Sequence, residues 1–411
     1  MRKKILAING GKPVRKKPFP SWPIHDHREK KAVLEVLETG KWFFRGKVEE
    51  FEQKFAQYQD AKFGITTVNG TVALEVALAC SGIGVGDEVI LPPYTFIATA
   101  TAVIRVGAIP VFVDITPDTL TINPEKIEKA ITKKTKAIIP VHVAGHPADL
   151  DRIKKIAKKH NLIIIEDACH AWGTEWRGKK VGATGNLGCF SFQYGKNMTA
   201  GEGGIILTNN SRLAELCWSY RHCGRKKGKP WYEHYIFGGN YRLTEFQAAI
   251  LLAQLTRLDK QTTLRQKNAS YLDKKFSQID GIEPLPLHKD ARVTRRSYHM
   301  YMFRYNAKDF CGVSKKRFIR ALIAEGIPCS PGYSIMYKNP CFLNKKSPIK
   351  SYLFSNFCEN IDYAKVRCPE TEKAAKEVIW FSQNMLLGTK KDMDDICKTI
   401  IKIKENIGEL G

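Results

Sequence analysis

Apolar residues recur along the chain in two rhythms. Between residues 28 and 59 they return every three or four positions, in REKKAVLEVLETG and KVEEFEQKFAQYQ. This spacing predicts two amphipathic helices, the first stopped at Gly40. From residue 63 the texture changes. Short continuous β-branched runs (FGITTV, DEVILP, IPVFVDI, KAIIPVHV, LIIIEDA) alternate with helical stretches (NGTVALEVALACSGI, TFIATATAVIRVG, PEKIEKAI, ADLDRIKKIAKKH). A strand that is apolar on both faces is buried on both faces. The alternation therefore predicts βαβ units and an α/β fold around a mostly parallel sheet flanked by helices. In open sheets of this kind, ligands gather at the carboxyl ends of the strands.

Beyond this region, LTEFQAAILLAQLTRLDKQTTLRQKNASYLDKKF reads as one long helix. After residue 280 the period shortens again: SYHMYMFRYN alternates two by two as a strand, KKRFIRALIAEG is a helix, and 328–360 is loop-rich. The expected organisation is an extended Pro- and Lys-rich arm over 1–25, a large domain over 26–270 and a smaller α+β C-terminal domain over 271–411.

Charge and cysteine content narrow the function classes. The 411 residues carry 66 Lys+Arg against 41 Asp+Glu, a net charge of +25. Such an excess suits anionic partners. The basic residues are scattered, however, as in KKIAKKH, ITKKTK and RKKGK, and no helix-turn-helix, zinc or RNA-binding signature accompanies them. They read as a lysine-rich solvated surface, with no nucleic-acid partner expected. The 11 cysteines show no CxxC and no regular spacing. Together with a start that lacks an apolar signal segment, they point to a reducing cytoplasm. No apolar run approaches the ~18–20 residues that span a bilayer, so no membrane partner is expected.

Four stretches at strand ends could carry chemistry. LIIIEDACHAWG delivers Asp167 to the end of a buried strand, where a carboxylate is costly unless it meets a cation or donors. VNGTVALEVAL opens a helix at Gly70–Thr71, and helix N-termini suit phosphate. Taken alone it reads more readily as a plain N-cap by Asn69 or Thr71. PPYTFIATA places Phe96 before a helix, as core packing or as a face for a flat ring. FSFQYGKNMTAGEGG sets Lys196 between an apolar strand and a glycine-rich turn, with Ser191 five residues upstream. A lysine in a partly desolvated site is a nucleophile. Two histidine pairs, in HDH (25–27) and HVAGH (142–146), lack a third ligand and read as structural, so no metal is expected. Together the four stretches offer a phosphate nest, a stacking ring, a carboxylate for a ring nitrogen and an amine for an aldehyde. That inventory matches pyridoxal 5'-phosphate.

The stretches NGTVAL, GVGDEVILPPYTFIAT, IPVFVDI, TKAIIPVHVAGHPADLD, IEDACHAWG, FSFQYGKNMTAGEGG and NYRLTEFQAA, in this order, resemble the DegT/StrS family of sugar and aminocyclitol aminotransferases. The resemblance runs over roughly 20–400 and implies a fold-type-I pyridoxal phosphate enzyme whose large domain binds the cofactor. It implies that Lys196 forms the Schiff base and shuttles the proton, that Asp167 holds the pyridine N–H, and that Phe96 stacks on the ring. Gly70, Thr71 and Ser191 would hold the phosphate, and Asn240 would reach the phosphate of a neighbouring subunit, which makes the active unit a homodimer with shared sites. His170 departs from the family's more usual glutamine near the cofactor's 3-oxygen. The implied reaction moves an amino group from L-glutamate or L-glutamine to a ketone on a sugar nucleotide or cyclitol. Two alternatives stay open: an aminohydroxybenzoate-synthase-like enzyme, and a non-catalytic basic regulatory or nucleic-acid-binding protein on the same scaffold.

Overall fold

The two rhythms resolve in the computed structural model, which describes residues 5–43, 46–286, 290–343 and 361–410, into a central sheet wrapped by helices. Most of the stretch expected to be loop-rich, 344–360, lies outside the described residues. Helices α1 (His27–Thr39) and α2 (Lys47–Tyr58) lead into β1 (Phe63–Thr67) and α3 (Gly70–Cys80). Then come β2 (Glu88–Leu91), α4 (Ala98–Arg105), β3 (Ile109–Phe112), α5 (Pro124–Ala130), β4 (Thr135–Ile138), α6 (Leu150–His160) and β5 (Ile163–Asp167). A small ribbon, β6 (Glu175–Trp176) and β7 (Lys179–Lys180), precedes β8 (Leu187–Ser191), β9 (Gly204–Thr208) and α7 (Ser211–Arg221).

Among the described residues the central sheet has seven strands in the order β1-β9-β8-β5-β4-β2-β3. The pairs from β3 through β8 are parallel, while β9 runs antiparallel to both β8 and β1. Alternate residues feed two layers, as strand pleating requires. Val89, Leu91, Ile139 and Ile165 pack with α3 and α4, whereas Ile90, Ile138 and Ile164 pack with α5 and α6. Register aligns the functional edge: Ser191 of β8 and Thr67 of β1 both sit opposite Gly204 of β9. Asp167 lies beside Cys189 of β8.

The long helix α8 (Glu245–Phe276) spans 32 residues, about 48 Å. Its first half is buried against α2 and the sheet through Leu251 and Leu258. Its second half enters a separate core through Ala269, Leu272 and Phe276. That second core contains β10 (Ile282–Pro284), β12 (Met300–Tyr305), β13 (Val378–Ser382), α9 (Lys315–Ala324) and the helix Lys390–Glu405. β10, β12 and β13 form an antiparallel three-stranded sheet, and β11 (Val293–Arg295) joins β6 and β7. Residue 270, expected between two domains, falls inside α8. The arm expected as an extended appendage is part of the second core: Leu6 is fully buried there, and the Leu6 and Ala7 N–H groups donate to Glu409 and Glu325. No helix among the described residues is long and apolar enough to cross a membrane.

Candidate active site

Strand β5 ends on two adjacent carboxylates that point to opposite faces. Glu166 is fully buried and accepts from His142 Nε2 (2.9 Å) and from the backbone N–H groups of Gly182 (2.8 Å), Thr184 (2.8 Å) and Gly185 (2.6 Å). His142 Nδ1 accepts from the Ala148 N–H at 3.1 Å, so the ring's proton is on Nε2. Burial pushes the Glu166 pKa up, but the His142 donor and the backbone donors outweigh it and hold the carboxyl below its ordinary value. Asp167 faces the other way. Its Oδ2 accepts from Thr99 Oγ1 at 2.8 Å and its Oδ1 from the Cys169 N–H at 3.2 Å.

Three elements converge beside Asp167. Asn69 caps α3 by accepting from the Val72 N–H at 2.9 Å, and this leaves the Gly70 and Thr71 N–H groups unused by the cap. A Cβ on Gly70 would lie 2.8 Å from Ser191 Cβ and 2.9 Å from Cys169 Sγ, so the end of β8 presses directly on the helix start. A Cβ on Gly204 would lie 2.4 Å from the Asn69 carbonyl. Gly70→Ala should therefore cost roughly 1–3 kcal/mol through overpacking. This is read as a lower urea midpoint, and an unchanged midpoint would refute the contact. Phe96 stands before α4, 59% exposed as a residue, and its carbonyl accepts from the Thr99 N–H at 3.3 Å.

Lys196 follows β8 in a loop with several braces. The Lys196 N–H donates to the Gln193 carbonyl (2.9 Å), and Thr199 Oγ1 donates to the Phe192 carbonyl (2.9 Å). Trp22 and Tyr194 bond reciprocally, indole N–H to carbonyl at 2.9 Å and phenol to carbonyl at 2.7 Å, so the N-terminal segment clamps the loop. Among the described residues Lys196 Nζ makes no hydrogen bond or ion pair. Burial pushes its pKa down, while Cys169 and Asp167 pull the other way without cancelling the effect.

His170 is held from two sides. Its Nδ1 accepts from the Ala144 N–H at 3.4 Å, which leaves Nε2 as the donor, and its ring stacks on His299 with centroids 4.4 Å apart. Burial and the positive charge of Lys196 push its pKa well below the ordinary value.

The structure thus brings Gly70, Ser191 and Asp167 together around Cys169, and places Lys196 within electrostatic reach of Asp167 and His170. Asn240 is exposed, and its segment pairs with His222 alongside the outward-facing Tyr232 and Phe237. The two histidines of HVAGH are used locally: His142 on Glu166, and His146 as acceptor for Arg296 Nε at 3.2 Å. Sequence reasoning missed Thr99, Asn197, His299 and Tyr333. His299 precedes β12, and Tyr333 packs its ring on Tyr94 and Trp380 at 5.6 and 4.7 Å. Burial, then Tyr94 and Asp167, push the Tyr333 pKa up, which sets this residue of the C-terminal unit near the same carboxylate. PYTFIAT spaces Thr99 one helical turn after Thr95, and that was the available signal for it.

The sequence profile of the DegT/DnrJ/EryC1/StrS aminotransferase family matches residues 23–401. The chain belongs to this family. Its enzymes depend on pyridoxal phosphate, and the chain is an aminotransferase of the fold-type-I architecture. It is 36% identical over 415 residues or more to two relatives with named acceptors of one chemical kind. One of them, the L-glutamine:2-deoxy-scyllo-inosose aminotransferase of Streptoalloteichus tenebrarius, aligns over 428 positions, with 98% of this chain and 99% of the relative covered. Among solved structures, 3-amino-5-hydroxybenzoic acid (AHBA) synthase superposes with a TM-score of 0.86 at 34% identity, covering 96% of this chain and 100% of that one. NtdA from Bacillus subtilis, solved with bound cofactor PMP, superposes with a TM-score of 0.80 at 26% identity, covering 95% and 86%.

Proposed function

We propose that this aminotransferase moves the amino group of L-glutamine or L-glutamate to the ketone of a polyhydroxylated ring, a keto-cyclitol or a nucleotide-linked keto-sugar. The observation that carries the reading is the meeting at one sheet edge of a lysine amine without a hydrogen-bond partner among the described residues, Lys196, with a buried carboxylate, Asp167, beside a glycine-opened helix start. Similarity over nearly the whole chain to a relative named for L-glutamine and 2-deoxy-scyllo-inosose favours the cyclitol acceptor. The likeness to AHBA synthase favours an aminohydroxybenzoate-synthase-like activity as second reading. The net charge of +25 suits steering of a phosphorylated acceptor.

The residues present fit pyridoxal phosphate. The carboxylate, the exposed aromatic face, the tight N–H nest and the free amine each match one part of it. When bound, the cofactor supplies an electrophilic aldehyde and a ring that withdraws electrons from the substrate carbon. Lys196 would hold the aldehyde. Asp167, itself fixed by Thr99 and the Cys169 N–H, would keep a proton on the ring nitrogen. Phe96 would cover one ring face. The Gly70 and Thr71 N–H groups and the Ser191 hydroxyl would take the phosphate. His170 would donate from Nε2 toward the ring oxygen. Lys196 would also be the base that takes the proton from the substrate Cα and the acid that returns it. Its depressed pKa favours the neutral amine that this task needs. Asn240, exposed on its own chain, would complete the phosphate site of a neighbouring subunit in a homodimer. The ten described cysteines are all free, which supports a cytoplasmic setting.

The purified holoenzyme should show the visible band of lysine-bound cofactor. L-glutamine should bleach the band and 2-deoxy-scyllo-inosose should restore it. A protein that takes up no pyridoxal phosphate, or whose band ignores both compounds, would end the reading.

A further inference from the structure

We propose that His299 is a substrate-recognition residue whose Nε2 lone pair accepts a hydrogen bond from an O–H or N–H group of the bound substrate, with Asn197 as its positioning residue. The inference rests on the aminotransferase site described above. It begins with Asn197, which is buried and adjacent to Lys196. The Asn197 amide donates from Nδ2 to the Ser297 carbonyl at 2.7 Å. That bond fixes which way the amide points, so its Oδ1 is the atom facing His299 Nδ1 at 3.1 Å. An amide oxygen only accepts, so His299 Nδ1 carries the proton and Nε2 is a bare lone pair.

The ring has little freedom to do otherwise. The His299 N–H donates to the Ala144 carbonyl at 3.0 Å, the preceding Tyr298 is held at φ 48°, and the ring lies against His170 and edge-on to Trp172. The same residue, Ala144, gives its N–H to His170 Nδ1. The two stacked imidazoles are therefore set in opposite tautomers: His170 presents a donor and His299 an acceptor. Burial, then the cations Lys196 and Arg265, push the His299 pKa well down, so the acceptor persists at neutral pH.

An acceptor needs a donor. Among the described residues none bonds to His299 Nε2; Lys196 lies within electrostatic reach but makes no hydrogen bond to it. The substrates carry such donors: the carboxamide N–H of the amino donor or a ring hydroxyl of the acceptor. A site that pairs such a ring nitrogen with a substrate donor discriminates against analogues lacking it.

The test uses the holoenzyme labelled with ¹⁵N-histidine. His299 should show a protonated Nδ1 and an unprotonated Nε2 near neutral pH, and the Nε2 resonance should shift when L-glutamine or 2-deoxy-scyllo-inosose is added. A protonated Nε2, or a resonance that ignores both ligands, overturns the proposal without any variant. In parallel, His299→Phe keeps a ring against His170 and removes the acceptor. It should weaken binding by about 10- to 100-fold for the ligand that supplies the donor, while the cofactor band stays as in wild type and the urea midpoint falls modestly, because the buried Asn197 Oδ1 loses its donor. Loss confined to L-glutamine, with L-glutamate unaffected, identifies the carboxamide. Loss confined to the cyclitol identifies a hydroxyl. Both ligands binding within about threefold of wild type overturns the proposal. A wild-type band that neither ligand changes would instead sink the aminotransferase reading, whatever the tautomer.

Discussion

Lys196→Ala is expected to lower kcat by about 10²- to 10⁴-fold, the span that a positioned proton carrier supplies. The amine is the group in this site that can alternate between bond former and base, and its surroundings prepare it for both roles. Burial makes the charged form costly, while Asp167 keeps that form from being lost altogether. Removing the side chain leaves Asp167, Gly70 and Ser191 in place, because their bonds and contacts run to Thr99, Cys169 and one another. The variant should therefore still take up pyridoxal phosphate, seen as bound absorbance after desalting, yet lack the lysine-bound band. Lys196→Arg sharpens the argument. It retains the positive charge but has no accessible neutral form, so it should be as inactive as the alanine variant. Turnover of either variant within about tenfold of wild type would remove Lys196 from the proton-carrying role.

How much of this was legible in the sequence depends on whether a residue obeys a local rule. The parallel strands and their helices announce themselves by period, and Asp167, Ser191 and Lys196 are noticeable because polar residues end apolar runs. Strand direction is not written in such runs. β9 is buried at every position, as a central parallel strand would be, so nothing in GIILT marks it as antiparallel. The extent of α8 is clear from its 3.6-residue rhythm, but the rhythm continues while the helix passes from one core to another, which hides the boundary. The arm before residue 25 looks like a polar extension; Leu6 finds its apolar partners near the other end of the chain. His299 and Asn197 are hydrogen-bonded across 102 residues of chain, and no spacing rule links such positions. The parts of the site that come from a second layer, or from the C-terminal unit, had to await the fold.

Glu166→Ala is expected to destabilise the protein by about 3–5 kcal/mol, the range for breaking a buried, hydrogen-bonded charge. Alanine would strand the His142 Nε2–H and the backbone donors of Gly182, Thr184 and Gly185 in a dry interior, each an unmet donor with its own cost. The loss should also reach the active site, because Asp167 is the next residue and its direction depends on β5 keeping its pleat. Cofactor affinity should fall in the variant even under conditions where it stays folded. The pH dependence identifies the cause. The folded pKa of Glu166 lies below its unfolded value, near 4.5, so its stabilisation is complete above that pH and is lost as pH falls through the folded value. Urea midpoints of wild type and variant should therefore be widely separated at neutral pH and converge in acid. Midpoints that stay equally far apart down to the acid transition would mean that the carboxylate's charge is not what holds the end of β5. Glu166→Gln should fall between the two, since it keeps the shape and one acceptor but sets an amide N–H₂ against donors.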